Sequence, residues 1–228
     1  MIYVTGDTHG ARDFFKLLSP ELSKLTKNDY VIICGDAGVI FNKKEAPYFI
    51  NLYSYLPFTV LFVDGNHENF DALNSYPEEI WCGGKVHRLS NSVFHLKRGQ
   101  VYTIENKSFF TFGGALSFDK ARRKEGESWW KQEMPTKSDY KEAMANLHGL
   151  DAVDYIISHD CPTFLMQEVA KHSQKLQDEG IVISKSNMYL EKISRQIAFN
   201  HWYFAHYHID QAFGENYDCV FNRIIQLR

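Results

Sequence analysis

IYVTGDTHG, residues 2–10, passes from an uninterrupted apolar triplet through a threonine into a glycine, an acid, a hydroxyl, an imidazole and a second glycine. An apolar run without alternation is the pattern of a strand buried on both faces, and the polar cluster stands where that strand would end. Ligands of open α/β sheets bind at strand carboxyl ends, because the loops leaving there converge on one crevice. The same arrangement recurs along the chain. YVIIC (30–34) is followed by Gly35 and Asp36, and TVLFV (59–63) by Gly65, Asn66 and His67. DYIIS (154–158) is followed by His159, and WYFA (202–205) by His206 and His208.

Taken singly, each of these residues has an ordinary explanation. Asp7 suits the cap of a following helix, His9 a surface position, and Asp36 and Asn66 turns that use their own backbone hydrogen bonds. His159 alone would bond a nearby carbonyl. His206 and His208 are less ordinary, since two imidazoles flanking Tyr207 repel if both are protonated, and a shared cation removes the conflict. Residues two apart in extended chain face the same side, so Asp7 with His9, and His206 with His208, can each present two ligands together. Five such coincidences at five strand ends point to a metal site.

The intervening segments complete the frame. FFKLLSPELSKL (14–25) and EAPYFINLYSYL (45–56) carry helical spacing between the first three runs, which is βαβαβ order. From residue 86 to 113, short apolar stretches separated by SN, RGQ and ENK predict an antiparallel meander in which a second sheet begins. Residues 117–135 read as a long loop, and such loops in compact domains tend to be functional. Helices are expected over 138–150, with a serine N-cap, and over 164–176 and 187–199; DCVFNRIIQL reads as a closing pair of strands. Without repeat, linker or low-complexity tract, residues 1–228 are expected to form a single domain, two sheets flanked by helices.

Composition narrows the partners. A content of 44% apolar and 15% aromatic residues supplies a core for unaided folding. The 25 basic and 28 acidic side chains leave a formal charge of −3, without the basic excess that neutralises a polyphosphate backbone, so duplex nucleic acid is disfavoured. Cys34, Cys82, Cys161 and Cys219 are widely spaced and form no CxxC pair, as expected of reduced, structural thiols. No apolar run approaches the ~20 residues of a membrane span, and the chain enters its first strand without a basic leader. A cytoplasmic protein is expected.

The series Asp7-Thr8-His9, Gly35-Asp36, Gly65-Asn66-His67-Glu68, His159 and His206-Tyr207-His208, in this order, resembles the calcineurin-like metallophosphoesterases over residues 2 to 208. The resemblance implies a four-layer α/β/β/α sandwich and a site for two divalent ions. Asp7, His9, Asp36 and His208 would surround one ion, and Asp36, Asn66, His159 and His206 the other, with Asp36 bridging. It implies further that a metal-bridging hydroxide attacks the phosphoester while His67 gives a proton to the leaving group. With one hydroxide, such a shell keeps a net charge of about +1, which draws phosphate in. Mixed oxygen and nitrogen ligands suit Mn, the first choice, and also Fe, Zn or Ni.

Two departures from relatives bear on specificity. Phosphoprotein phosphatases continue their second motif as G-D-x-V-D-R-G, whereas Ala37, Gly38 and Val39 follow Asp36 here. The aspartate that orients the catalytic histidine in those relatives is absent, which leaves Asp64, Glu68 or Asp119 as substitutes, and the phosphate-binding arginine is absent too. The last motif, usually G-H-x-H, has Ala205 before His206. Arg123, and with it Arg122, on the loop after Gly113-Gly114 can supply the missing guanidinium, whose fork suits phosphate; a solvated charge run is the competing reading. Trp129 and Trp130 are expected to pack. The leading expectation is a phosphatase acting on phosphomonoesters of a small molecule or phosphoprotein, ahead of a phosphodiesterase acting on cyclic nucleotides or nucleic acid and of a non-catalytic scaffold, which would be expected to lose ligands.

Overall fold

The computed structural model describes residues 1–228. Its chain lays down one sheet, crosses to a second, and returns to the first. Strands β1 (Ile2–Thr5), β2 (Tyr30–Ile33), β3 (Thr59–Val63), β4 (Glu78–Trp81), β5 (Gly84–Ser90) and β6 (Val93–Leu96) belong to the first sheet. Strands β7 (Gln100–Ile104), β8 (Lys107–Phe112), β9 (Ala152–Ser158), β10 (Ala198–Phe204), β11 (Gln211–Phe213) and β12 (Tyr217–Cys219) form the second. Last, β13 (Ile225–Gln226) pairs antiparallel with β1. The sheets run β13-β1-β2-β3-β6-β5-β4 and β11-β12-β10-β9-β8-β7, each with four parallel strands inside and antiparallel strands at its margins. No helix is long and apolar enough to cross a membrane.

Period-two alternation distributes the buried side chains over three cores. Ile2, Val4, Ile32, Leu61 and Val63 of the first sheet meet Phe109, Tyr155, Ile157 and Tyr203 of the second in a core between the sheets. Their neighbours Tyr3, Val31, Ile33, Val60 and Phe62 face outward to Phe14, Leu17 and Tyr53. On the far side, Phe110, Ile156, Trp202 and Phe204 pack against Leu165, Met166, Val169, Leu190 and Ile193. Three cores separate four layers, the expected α/β/β/α sandwich. Cys34, Cys161 and Cys219 are buried within it, and all four cysteines are free thiols.

Several expected boundaries are corrected. The second sheet begins at β7, not at residue 86, because β6 takes parallel register beside β3, Val60 opposite Val93, and buries all four of its residues. The closing strands do not pair with each other, since β12 and β13 lie in different sheets. Segment 14–25 is two 3-10 turns, Phe14–Leu18 and Leu22–Lys24, separated at Ser19, whose ψ of 150° is what a following proline imposes. Helix α1 (Ala46–Ser54) is as expected, and the short α2 (Phe70–Leu73) follows β3. Helix α3 (Lys137–Leu147) is capped by Thr136, which shares a capping box with Asp139, rather than by Ser138. The expected helix 164–176 breaks into α4 (Met166–His172) and α5 (Gln174–Glu179) at Ser173, whose hydroxyl donates to the Tyr207 carbonyl at 3.0 Å. Helix α6 (Lys185–Ser194) stops short of 199 because Ala198 already pairs with Ala152 of β9.

Candidate metal centre

The carboxyl ends of β1, β2 and β3 meet those of β9 and β10 at the seam between the sheets. Four of the residues there hold left-handed backbone, His9 (φ 43°), Asp36 (φ 48°), His206 (φ 70°) and His208 (φ 53°). Non-glycine residues adopt that region at a cost of about 1–3 kcal/mol and cluster at functional sites. Here the surrounding backbone over-determines them, since Thr8 N–H and His9 N–H both donate to the Asp36 carbonyl, at 3.1 and 2.9 Å. Ala205 N–H donates to the His159 carbonyl at 3.0 Å. Gly35 and Gly65 are required by close approach, because a Cβ would sit 2.2 Å from His159 Nδ1 at the first and 2.0 Å from Asp36 Oδ1 at the second.

The side chains converge in three overlapping groups, Asp7-His9-His208, His9-Asp36-His67 and Asp36-His159-His206. Asp36 Oδ2 lies 3.6 Å from His9 Nε2, 3.4 Å from His159 Nε2 and 3.9 Å from His67 Nε2. His208 Nε2 lies 3.0 Å from Asp7 Oδ2, and Asn66 Oδ1 lies 3.2 Å from His159 Nε2. All seven expected ligands are therefore together.

Outer contacts aim the donor atoms inward. His9 Nδ1 is held by Asp13 Oδ2 at 2.8 Å, and His159 Nδ1 by the Cys34 carbonyl at 2.7 Å, which leaves each Nε2 directed at Asp36. Asn66 Nδ2 donates to Ser117 Oγ at 3.0 Å, and that hydroxyl donates to Glu133 Oε2 at 2.6 Å, so Asn66 turns its oxygen to the site. Tyr207 does not face the site but bonds buried Asp160, which anchors the turn between His206 and His208.

Buried His206 Nδ1 has no hydrogen-bond partner, and buried Asp7 Oδ2 has only the His208 imidazole beside it, at 3.0 Å and without hydrogen-bond alignment. Orphaned buried donors and acceptors are costly, and a cation would satisfy both. Burial works against charge throughout the cluster; mutual attraction reverses it for Asp7, Asp36, His9 and His159, whereas burial, with Lys175 and His159 adding, holds His206 well below its ordinary value. His159, His67 and His9 hold Asp36 well below the usual carboxylate range. Asp36 and Asp7 raise His9 to about 8 and His159 to about 9. In the metal-free protein these histidines carry protons that a cation would displace. Oxygen and imidazole donors of this kind fit a divalent transition metal.

The centre opens into a cavity of about 510 Å³ lined by His9, His67, Asn66, His208, Phe118, Arg123 and Lys175 among others. The His67 amide donates to Asp36 Oδ1 at 2.7 Å, and its ring faces the cavity. Of its expected supports, Asp64 is taken by Arg98 and His95, while Glu68 accepts the Ala37 amide at 3.0 Å. Asp119 reaches His67 only through Arg123, pairing with that guanidinium at 2.7 Å while Arg123 Nη2 stands 3.5 Å from His67 Nε2. Burial holds His67 below its ordinary value, Asp36 opposes this, and Arg123, His9 and Lys175 add to it. Arg122, by contrast, is exposed and does not line the cavity. Trp130 packs as expected, its indole N–H donating to Asp71 Oδ2 at 2.9 Å.

Asp13, Ser117, Glu133 and Lys175 escaped the reading of the sequence. Only Asp13 left a signal there, the four-residue spacing from His9 that lets a carboxylate meet an imidazole.

The sequence matches the calcineurin-like phosphoesterase family over residues 1–210. The chain belongs to that family, and it is accordingly a hydrolase of phosphoric esters that uses divalent metal ions. Comparison with curated proteins found no match. Among solved structures, phosphopantetheinyl hydrolase from Mycobacterium tuberculosis is similar over 97% of this chain and 89% of its own, at 15% identity and a TM-score of 0.46. That likeness is too slight to carry an argument about substrate.

Proposed function

We propose that the protein is a phosphatase of phosphomonoesters with a dinuclear centre. Asp7, His9, Asp36 and His208 would hold one ion and Asp36, Asn66, His159 and His206 the other, manganese being the first ion to test. The observation that carries this reading is the place of Asp36, whose Oδ2 is within 3.6 Å of both His9 Nε2 and His159 Nε2, the imidazoles of two different groups. When bound, two such ions supply Lewis acidity at the phosphoryl oxygen and a water nucleophile at neutral pH.

The chain's own groups then bind and move the proton. Arg123, held at Nη2 by Asp119 and at Nη1 by the Ser128 carbonyl, would offer its remaining N–H donors to a phosphate oxygen. Burial lowers the proton affinity of His67 and a bound phosphate dianion raises it, so His67 would take up a proton from solvent as substrate binds and give it to the departing oxygen. A positioned acid contributes ~10²–10⁴-fold, most where the leaving group is poor. His67→Asn should therefore cripple hydrolysis of an alkyl phosphate such as phosphoserine and spare an activated aryl phosphate far more, with metal content unchanged. The test is kcat across esters graded by leaving-group pKa. A uniform loss would defeat the proton-donor role.

A further inference from the structure

The cavity holds a cation that no motif announces. Lys175 lies on α5, half-buried, and its Nζ donates to the His206 carbonyl at 3.2 Å. The same ammonium sits 5.1 Å over the Phe118 ring, and that ring stacks on the His206 imidazole at 5.7 Å. It forms no ion pair, although Glu179, one turn further along α5, lines the same cavity.

Of the other cations lining the cavity, Arg12 is exposed to solvent, and Arg123 is matched by a carboxylate. Arg123 is neutralised by Asp119 at 2.7 Å, so that pair brings a fork of donors with no net charge. A carbonyl dipole and an aromatic face offset an ammonium only in part once water is thinned around it. Lys175 is thus an uncompensated positive charge fixed beside a candidate ligand turn, and its natural complement is an anion in the cavity. A phosphomonoester carries up to two negative charges where a diester carries one.

We propose that Lys175 binds the second negative charge of the substrate phosphate and so sets a preference for monoesters over diesters. The inference rests on the monoesterase reading for its substrate, but its chemistry is that of any phosphate dianion. Lys175 is on this account a substrate-binding residue, selected by charge and not by shape.

The test uses the metal-loaded enzyme, with Lys175→Gln, which keeps a donor for the His206 carbonyl, and Lys175→Arg, which keeps the charge. Binding of inorganic phosphate is measured by calorimetry at a pH where it is dianionic, with metal content quantified in parallel. Loss of one charge-assisted contact should raise the phosphate Kd about tenfold in Lys175→Gln and less than about threefold in Lys175→Arg. The ratio of kcat/KM for an aryl monoester to that for the bis-aryl diester should fall by a similar factor in Lys175→Gln. Unchanged phosphate affinity, an equal loss on both esters, or loss of metal would overturn the proposal, the last by making Lys175 a brace for the His206 turn. If the wild type prefers the diester, the monoesterase reading fails, while the phosphate titration still decides Lys175.

Discussion

Asn66 can serve a cation only through its carbonyl oxygen, and the group that fixes the orientation of its amide is 51 residues away. Ser117 accepts from Nδ2 and passes its own proton to Glu133, so the amide has one satisfied orientation. Ser117→Ala would leave Nδ2 without its partner and remove the hydroxyl from Glu133 Oε2, while the residue's backbone amide still donates to Oε1. We expect a loss of ~10–100-fold in affinity for the ion that Asn66 serves, with a melting curve close to wild type, measured by metal titration of stripped protein. An unchanged titration would show the amide to be oriented otherwise. The contrast between Asn66 and Ser117 also explains what the sequence could reveal. Asp7, His9, Asp36, Asn66, His159, His206 and His208 stand at strand ends and repeat a pattern that few other demands produce. Ser117, Glu133 and Lys175 are residue types common on any loop or helix, and only the packing of distant segments gives them roles.

Among the elements, the segment from 117 to 135 has the most to lose from a single change. It is not a free loop, because Arg98 grips it. The guanidinium binds Asp64 Oδ2 from Nε at 2.8 Å and donates to the carbonyls of Gln132 and Glu133 at 2.9 and 3.1 Å. One arginine therefore joins the end of β3 to the segment that carries Ser117 and Arg123. Arg98→Met would strand a buried carboxylate, which costs roughly 3–5 kcal/mol when a buried pair is broken. Urea denaturation should register that loss, and limited proteolysis should cut first between 117 and 135. Cleavage elsewhere, at wild-type stability, would contradict the strut. At this scale β1, β2, β3, β9 and β10 were legible because burial on both faces writes itself as an apolar run, whereas β6, β8 and β12, parallel as well, read as antiparallel strands. Helix ends were less so. Ser173 breaks a continuous helical pattern for the sake of one bond to Tyr207, and Ala198 leaves helical spacing for a place beside β9; neither partner is visible along the chain.

Across the whole molecule, pH acts on stability from two directions. His87 Nδ1 stands 3.1 Å from His95 Nδ1, and His95 Nε2 stands 3.2 Å from Asp64 Oδ1. Both bonds form if His95 donates from Nε2 and accepts from His87, with both rings neutral. Burial, with each other's proximity, depresses His87 to about 3 and lowers His95 as well. Between pH ~6.5 and ~3 the unfolded chain then binds more protons than the native one, so stability falls on acidification by up to ~1.4 kcal/mol per pH unit for His87, and His95 acts in the same direction. His9 and His159 have the opposite sign in metal-free protein. Their contribution is full below the ordinary histidine value and lost as pH rises through about 8 and about 9. Urea denaturation in chelator should place the stability maximum near pH 6.5, and His87→Phe should flatten the acid limb alone. A metal-free profile that kept rising above pH 8 would contradict the assignment. One feature of the seam governs when the protein can begin to work. The His206 amide meets Asp7 Oδ1 across 199 residues, and the three imidazoles supplied by the second sheet all come late in the chain. During synthesis, Asp7, His9 and Asp36 emerge first and wait, with two carboxylates and one imidazole among them, for partners not yet translated. A chain that stops short of His206 lacks two imidazoles of the cluster and is expected to hold metal poorly.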